Sequence, residues 1–311
     1  MRAASRICLA ALLGCALVSA RAHDGPEHEI EELTARMTKA GETAELLTAR
    51  AVEHRILGKL PEATKDLERA AKLDPESIAI PRELGRVLFL GGKAAEALAS
   101  VARGLTLKGG EPADFAGLRM LRAEILRSQN ENGKALEDCD AALRLHKGNP
   151  EWYLLRSDLQ RRLKAHKERL AGLDEGIRET GAGVLEIERV EAQIDAGQFA
   201  AALPVIEREL ADSRVRSSWL IRRARVRLGL GKKAEAGGDL RDALAEIGQR
   251  LNPKSPDAPL LLDMAVALEL LGEKAEALRA REAARDVGAA EALKEKVKPL
   301  PEAAPPAGSK P

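Results

Sequence analysis

The sequence predicts an all-α, right-handed superhelical solenoid of about seven helical hairpins, and three observations predict it. Ala, Leu, Arg and Glu dominate while β-branched residues are sparse, a helix-forming composition. Small residues and a turn residue recur in a frame of 34 positions, the period of a stacked helical hairpin. Pro75, Pro150 and Pro253 fall where the second helix of a hairpin has to stop.

The same composition excludes several functions. The chain has 311 residues, with 50 Lys and Arg against 49 Asp and Glu. That balance, with only three Phe, two Trp and one Tyr, offers neither the basic surface nor the stacking platform of a nucleic-acid binder. Three Cys and five His are scattered, which excludes zinc ribbons and disulfide scaffolds. There is no G-x-S-x-G, no phosphate loop and no H-E-x-x-H, so neither an enzyme nor a cofactor is expected.

Residues 1–22 have the pattern of a bacterial export signal. Arg2 and Arg6 precede a dozen apolar residues, Ile7 to Val18, too few to span a bilayer as a helix. Ala20-Arg21-Ala22 then supplies a small-x-small cleavage site, which predicts a periplasmic or secreted chain beginning at His23. That mature chain has 47 basic and 49 acidic residues and no transmembrane segment. Leu12-Leu13-Gly14-Cys15 is the rival pattern, a lipobox that would make Cys15 a lipid anchor. Residues 23–43 follow as a leader and N-terminal capping helix, with Ile30, Leu33 and Met37 at helical spacing.

The repeats occupy 44–77, 78–111, 116–149, 150–183, 183–216, 217–250 and 258–291. Frame position 15, where the first helix (helix A) ends and the chain reverses, is Gly58, Gly92, Asn130, Lys164, Gly197, Gly231 and Gly272. Gly and Asn tolerate the left-handed backbone such a reversal requires. Positions 8 and 20, where helices A and B cross, are small in most copies: Ala51 and Ala63, Gly85 and Ala97, Ala123 and Ala135, Ala224 and Ala236, Ala265 and Ala277. Copy four departs most, with Lys164 at the turn and Arg169 at position 20. Four extra residues, Pro112 to Phe115, are expected to lengthen a loop. Seven more, Leu251 to Asp257, precede the last copy, and helix B before them is expected to run a turn longer. Residues 292–311 are expected to form a disordered Pro-rich tail.

The small residues at positions 8, 20 and 27, with the closing Ala70-x-x-Leu73-Asp74-Pro75, resemble the tetratricopeptide repeat. The resemblance spans residues 44–291 and implies a non-catalytic scaffold that binds a protein or peptide along helix A, through positions 2, 5, 6, 9, 12 and 13. The matching residues include Arg55, Arg82, Arg86, Phe89, Leu121, Arg127, Leu155, Asp158, Arg161, Arg162, Ile221, Arg222 and Arg225. Arg forks suit carboxylates and peptide carbonyls, so a partner of acidic character is expected opposite copies two to four, with acids of the chain itself as the competing partners of those Arg. Copies five and seven are acidic there. Some members of the family hold a chain terminus with Lys and Asn on helix A. Thr48, Val52, Arg82 and Arg86 stand at those positions, so that activity does not carry over.

Three further expectations concern single residues. Cleavage after Ala22 would put an α-amino group and the His23 ring side by side, with His28 as a further nitrogen for Cu(II); a polar leader without metal is the simpler expectation. His54, His166 and Cys139 sit at core positions and are expected to be packed and inert. Asp138 and Asp140 are expected on a solvated face.

Overall fold

Each copy carries an apolar stripe on two helices too short to be stable alone, so each hairpin closes on itself and then on its neighbour. The computed structural model describes residues 25–252 and 254–296, with side chains to residue 288. The signal segment, His23 and the end of the tail lie outside the described residues. Among those described there are fifteen helices and no strand. They fall into two units, divided after Lys108.

The first unit begins with α1 (Pro26–Ala40), opened by a Pro whose missing N–H costs nothing at a helix start. It buries Leu33 and Met37 against the first hairpin, α2 (Ala44–Ile56) and α3 (Leu60–Leu73). Thr43 caps α2 by accepting the Leu46 N–H at 3.2 Å. The second hairpin is α4 (Ala79–Leu90) and α5 (Ala94–Thr106). Leu47, Ala51, Ala63, Leu67, Ala70, Ile80 and Val87 form one core through these elements.

The second unit stacks five hairpins. These are α6 (Pro112–Ser128) with α7 (Asn132–Leu145), α8 (Pro150–Arg162) with α9 (His166–Thr180), α10 (Gly183–Asp195) with α11 (Phe199–Asp212), α12 (Ser217–Gly229) with α13 (Lys233–Arg250), and α14 (Ala258–Leu271) with α15 (Lys274–Lys296). Its largest core runs from Val190 on α10 to Ala267 on α14. All seven position-15 residues have positive φ: 70° at Gly58, 76° at Gly92, 63° at Asn130, 58° at Lys164, 69° at Gly197, 78° at Gly231 and 89° at Gly272. Small residues bring the helices close. A β-carbon at Gly176 would stand 2.7 Å from the ring of Tyr153, which fills that gap.

Two local expectations are corrected. Pro112 to Phe115 form no loop; they add a first turn to α6, with Pro112 at the helix start and Asp114 accepting the Glu111 N–H at 3.2 Å. The tail does not start at residue 292, because α15 continues to Lys296. Ala292-Leu293-Lys294-Glu295-Lys296 are all strong helix formers, and the first Pro comes only at residue 299. Helix α13 is 18 residues long against 14 for α11, one turn more.

Candidate functional site: the helix A faces

In the first unit the face belongs to α2 and α4. Arg55 Nε stands 3.4 Å from Glu83 Oε2, and Arg82 Nε stands 3.8 Å from Glu83 Oε1. Arg86 is half-buried and has no hydrogen-bond or ion-pair partner among the described residues. Phe89 beside it is half-buried, while Ile56 and Leu90 are 55% and 57% exposed. The cation without a partner therefore sits next to uncovered apolar surface.

The second unit spends its helix A arginines internally. Asp158 accepts from Arg127 at 3.2 Å, from Arg162 at 2.8 Å and from Arg161. Burial pushes the Asp158 carboxyl up, but these three guanidinium groups outweigh it and hold the group below its ordinary range. Glu191 accepts from Arg222 Nε at 2.7 Å and from Arg225, which also donates to Asp195 at 3.0 Å. Arg222 additionally lies 4.9 Å over the Trp219 ring. Leu155 is half-buried against the core of the third and fourth hairpins. Leu121 and Ile221 are corrected as groove residues: both are buried, Ile221 within the core beneath the face.

Arg169 replaces the small residue of copy four at position 20 and is 1% exposed. A buried guanidinium is tolerated only when its donors are satisfied. Its Nε donates to Ser157 Oγ at 2.8 Å, and its terminal nitrogens donate to Glu188 at 2.7 Å and Asp195 at 2.8 Å. Ser157 in turn donates to Glu188 at 2.7 Å. Ser157 and Arg169, at positions 8 and 20 of copy four, are thus one device that ties α8 and α9 to α10.

A second arrangement was missed from sequence. Arg50 is paired with Asp66, Arg122 with Asp138 and Arg223 with Asp239, each sixteen residues apart, joining position 7 of helix A to position 23 of helix B. The three carboxylates are buried, so Asp138 is not on a solvated face. The recurring Arg-x15-Asp spacing at fixed frame positions was the available signal.

Cys139 is buried and free, with Met120 Sδ and the Trp152 carbonyl each 3.7 Å from its sulfur, and burial pushes its thiol up to about 12. His54 is half-buried, with Nε2 4.0 Å from Asp66; burial pushes its imidazole down, outweighing the pull of Asp66. His166 is half-buried at the start of α9. His28 lies on α1, and no cluster of three or more His, Cys, Asp or Glu that could hold a metal occurs among the described residues. No described helix is long and apolar enough to cross a membrane.

Left-handed turns at every position 15, crossings at small residues and stacked hairpins define a helical-repeat solenoid of the tetratricopeptide type. Solved structures share this fold. A tetratricopeptide repeat protein from Parabacteroides merdae aligns over 87% of this chain and 98% of its own, with 20% identity and a TM-score of 0.58. A chain of the APC/C hetero-tetramer Cut9–Hcn1 aligns over 80% of this chain at 12% identity and a TM-score of 0.53, and this chain spans 46% of its length. No protein-family model and no curated protein matches the sequence.

Proposed function

We propose that the protein is an exported, non-catalytic scaffold that holds a partner protein or peptide on its helix A faces. The observation that carries this reading is Arg86, a half-buried cation without a partner, beside the exposed Ile56 and Leu90. A segment with an acidic group next to an aliphatic one would engage both the guanidinium and the apolar surface. Arg55, Arg82 and Phe89 frame the same face. The membership of one similar structure in a hetero-tetramer agrees with a scaffold role. The apolar run and small-x-small site of residues 1–22 support delivery to the periplasm, and mass spectrometry of the N-terminal peptide separates cleavage after Ala22 from acylation at Cys15.

The test is a photo-crosslinking amino acid at Leu90 in living cells. A discrete adduct is expected, lost when Arg86→Glu is added. No adduct at position 90, or an identical adduct from the exposed Lys65 on α3, overturns the reading.

A further inference from the structure

Asp263 lies on α14, which packs beside α12 as α12 packs beside α10 in the second unit. Other acids on α10 and α14 are matched with bases. Glu188 and Asp195 hold Arg169, Glu191 holds Arg222 and Arg225, and Glu269 pairs with Arg281. Asp263 is half-buried, and no cation lies within ion-pair distance of it among the described residues.

The two cations facing it are occupied elsewhere. Arg222 is fixed between Glu191 and the Trp219 ring. Arg250 on α13 donates to Ser217 Oγ at 3.4 Å and Glu246 at 3.5 Å. The remaining charges that bear on it are acidic, Glu191 on α10 and Asp257 ahead of α14. Burial is the largest influence and raises its carboxyl above the ordinary range, outweighing the pull of Arg222 and Arg250.

Exposed apolar residues lie on the same row of helix A faces. Leu262 next to it is 50% exposed, and Val184 and Ile187 on α10 are 47% and 38% exposed. We propose that the face of α10, α12 and α14 binds a protein segment that presents one cationic side chain between aliphatic ones, the cation docking on Asp263 and the aliphatic groups on Leu262, Ile187 and Val184.

Charge complementarity selects this occupant. An acidic segment would add a second anion to a half-buried carboxylate and meet no free guanidinium, because Arg222 and Arg225 are already taken. A Lys or Arg instead relieves the buried charge with a charge-assisted hydrogen bond. This inference rests on the peptide-binding reading above but concerns the opposite charge and a different unit.

The probe is an array of immobilised twelve-residue peptides of random sequence, with affinities of retained peptides measured by fluorescence anisotropy on the full chain. Retained peptides are expected to carry Lys or Arg beside Leu, Ile or Val. Asp263→Asn is expected to weaken them roughly tenfold, the worth of one charge-assisted bond. Leu262→Ser weakens them too, whereas Arg86→Glu leaves them unchanged. Acidification that protonates Asp263 should release them from the parent chain and not further from Asp263→Asn.

Asp263→Asn removes a half-buried charge without a cation in ion-pair reach and is expected to melt no lower than the parent; a lower melt would make Asp263 a structural residue and overturn the proposal. So would retained peptides that are acidic or neutral, or equal binding to Asp263→Asn. Peptides sensitive only to Arg86→Glu would sink this inference and leave the scaffold reading standing. Retention of no peptide, with no adduct at position 90, would sink both.

Discussion

Arg122 grips Asp138 with two parallel hydrogen bonds, Nε to Oδ2 at 2.5 Å and a terminal nitrogen to Oδ1 at 2.6 Å, across the crossing of α6 and α7. Arg119 adds a third at 3.1 Å. The carboxylate is buried while the guanidinium keeps an edge in solvent, so the pair avoids most of the desolvation cost of a fully interior one. Arg50 with Asp66 and Arg223 with Asp239 repeat it, so it is a recurrent strap of the hairpin.

The expected cost of Asp138→Ala is about 2–3 kcal/mol, since two arginines lose their acceptor at a half-buried site. Urea denaturation followed by helical circular dichroism checks this. Arg122→Met combined with Asp138→Leu is expected to recover most of the loss. A double variant as weak as the single one would mean the pair specifies helix packing beyond its charges.

The repeat frame was legible because its causes are local. A left-handed turn selects Gly or Asn at one position, and a close helix crossing selects a small residue at two others, so each leaves a mark at a fixed offset. The Arg–Asp straps left a mark too, but a charged residue on a helix is ordinarily solvated, and its burial depends on a partner on another helix. Arg169 was visible only as a violation of the frame; that Ser157, Glu188 and Asp195 converge on it depends on three helices. Leu121 and Ile221 show the converse. Their frame positions belong to the face, yet the local approach of neighbouring helices buries them.

Lys164 has φ 58°, a left-handed conformation that costs a side chain about 1–2 kcal/mol, at the position where five of the seven copies use Gly. Lys164→Gly is therefore expected to stabilise the second unit by about 0.5–1 kcal/mol after the extra unfolded-state freedom of Gly is deducted. Gly231→Ala, at the equivalent turn two copies on, is expected to destabilise by about 1 kcal/mol. Thermal melts of both variants check the opposite signs, and a neutral or negative Lys164→Gly would show that the Lys side chain contributes more than its backbone strain.

The Cys139 thiol, pushed from 9.0 up to about 12 chiefly by burial, is neutral at every physiological pH. A raised folded-state value means the contribution to stability is complete below pH 9.0 and is lost as pH rises toward about 12. Iodoacetamide at pH 8 is expected to leave Cys139 unmodified in the folded chain and to label it fully in urea, as read by peptide mapping. In Cys139→Ala the alkaline loss of stability should begin at higher pH. Rapid labelling of the folded chain would contradict the buried position.

Arg169→Ala restores the small residue that the repeat frame favours and so tests frame against network. The frame alone predicts a gain in stability. The geometry predicts a loss of about 3 kcal/mol, because Glu188 and Asp195 on α10 both lose the guanidinium from α9, and only Ser157 on α8 still bonds Glu188. Asp195 would keep its bond from Arg225, so the larger share of the loss falls at Glu188. Glu188→Gln in the same chain is therefore expected to return part of it. Hydrogen exchange should show α8, α9 and α10 opening together in Arg169→Ala while α2 to α5 keep their protection, since units of a stacked array can open separately. A stabilised Arg169→Ala would mean that the buried guanidinium costs more than its four-residue network returns, and copy four would then be a destabilised repeat retained for some purpose other than holding the solenoid together.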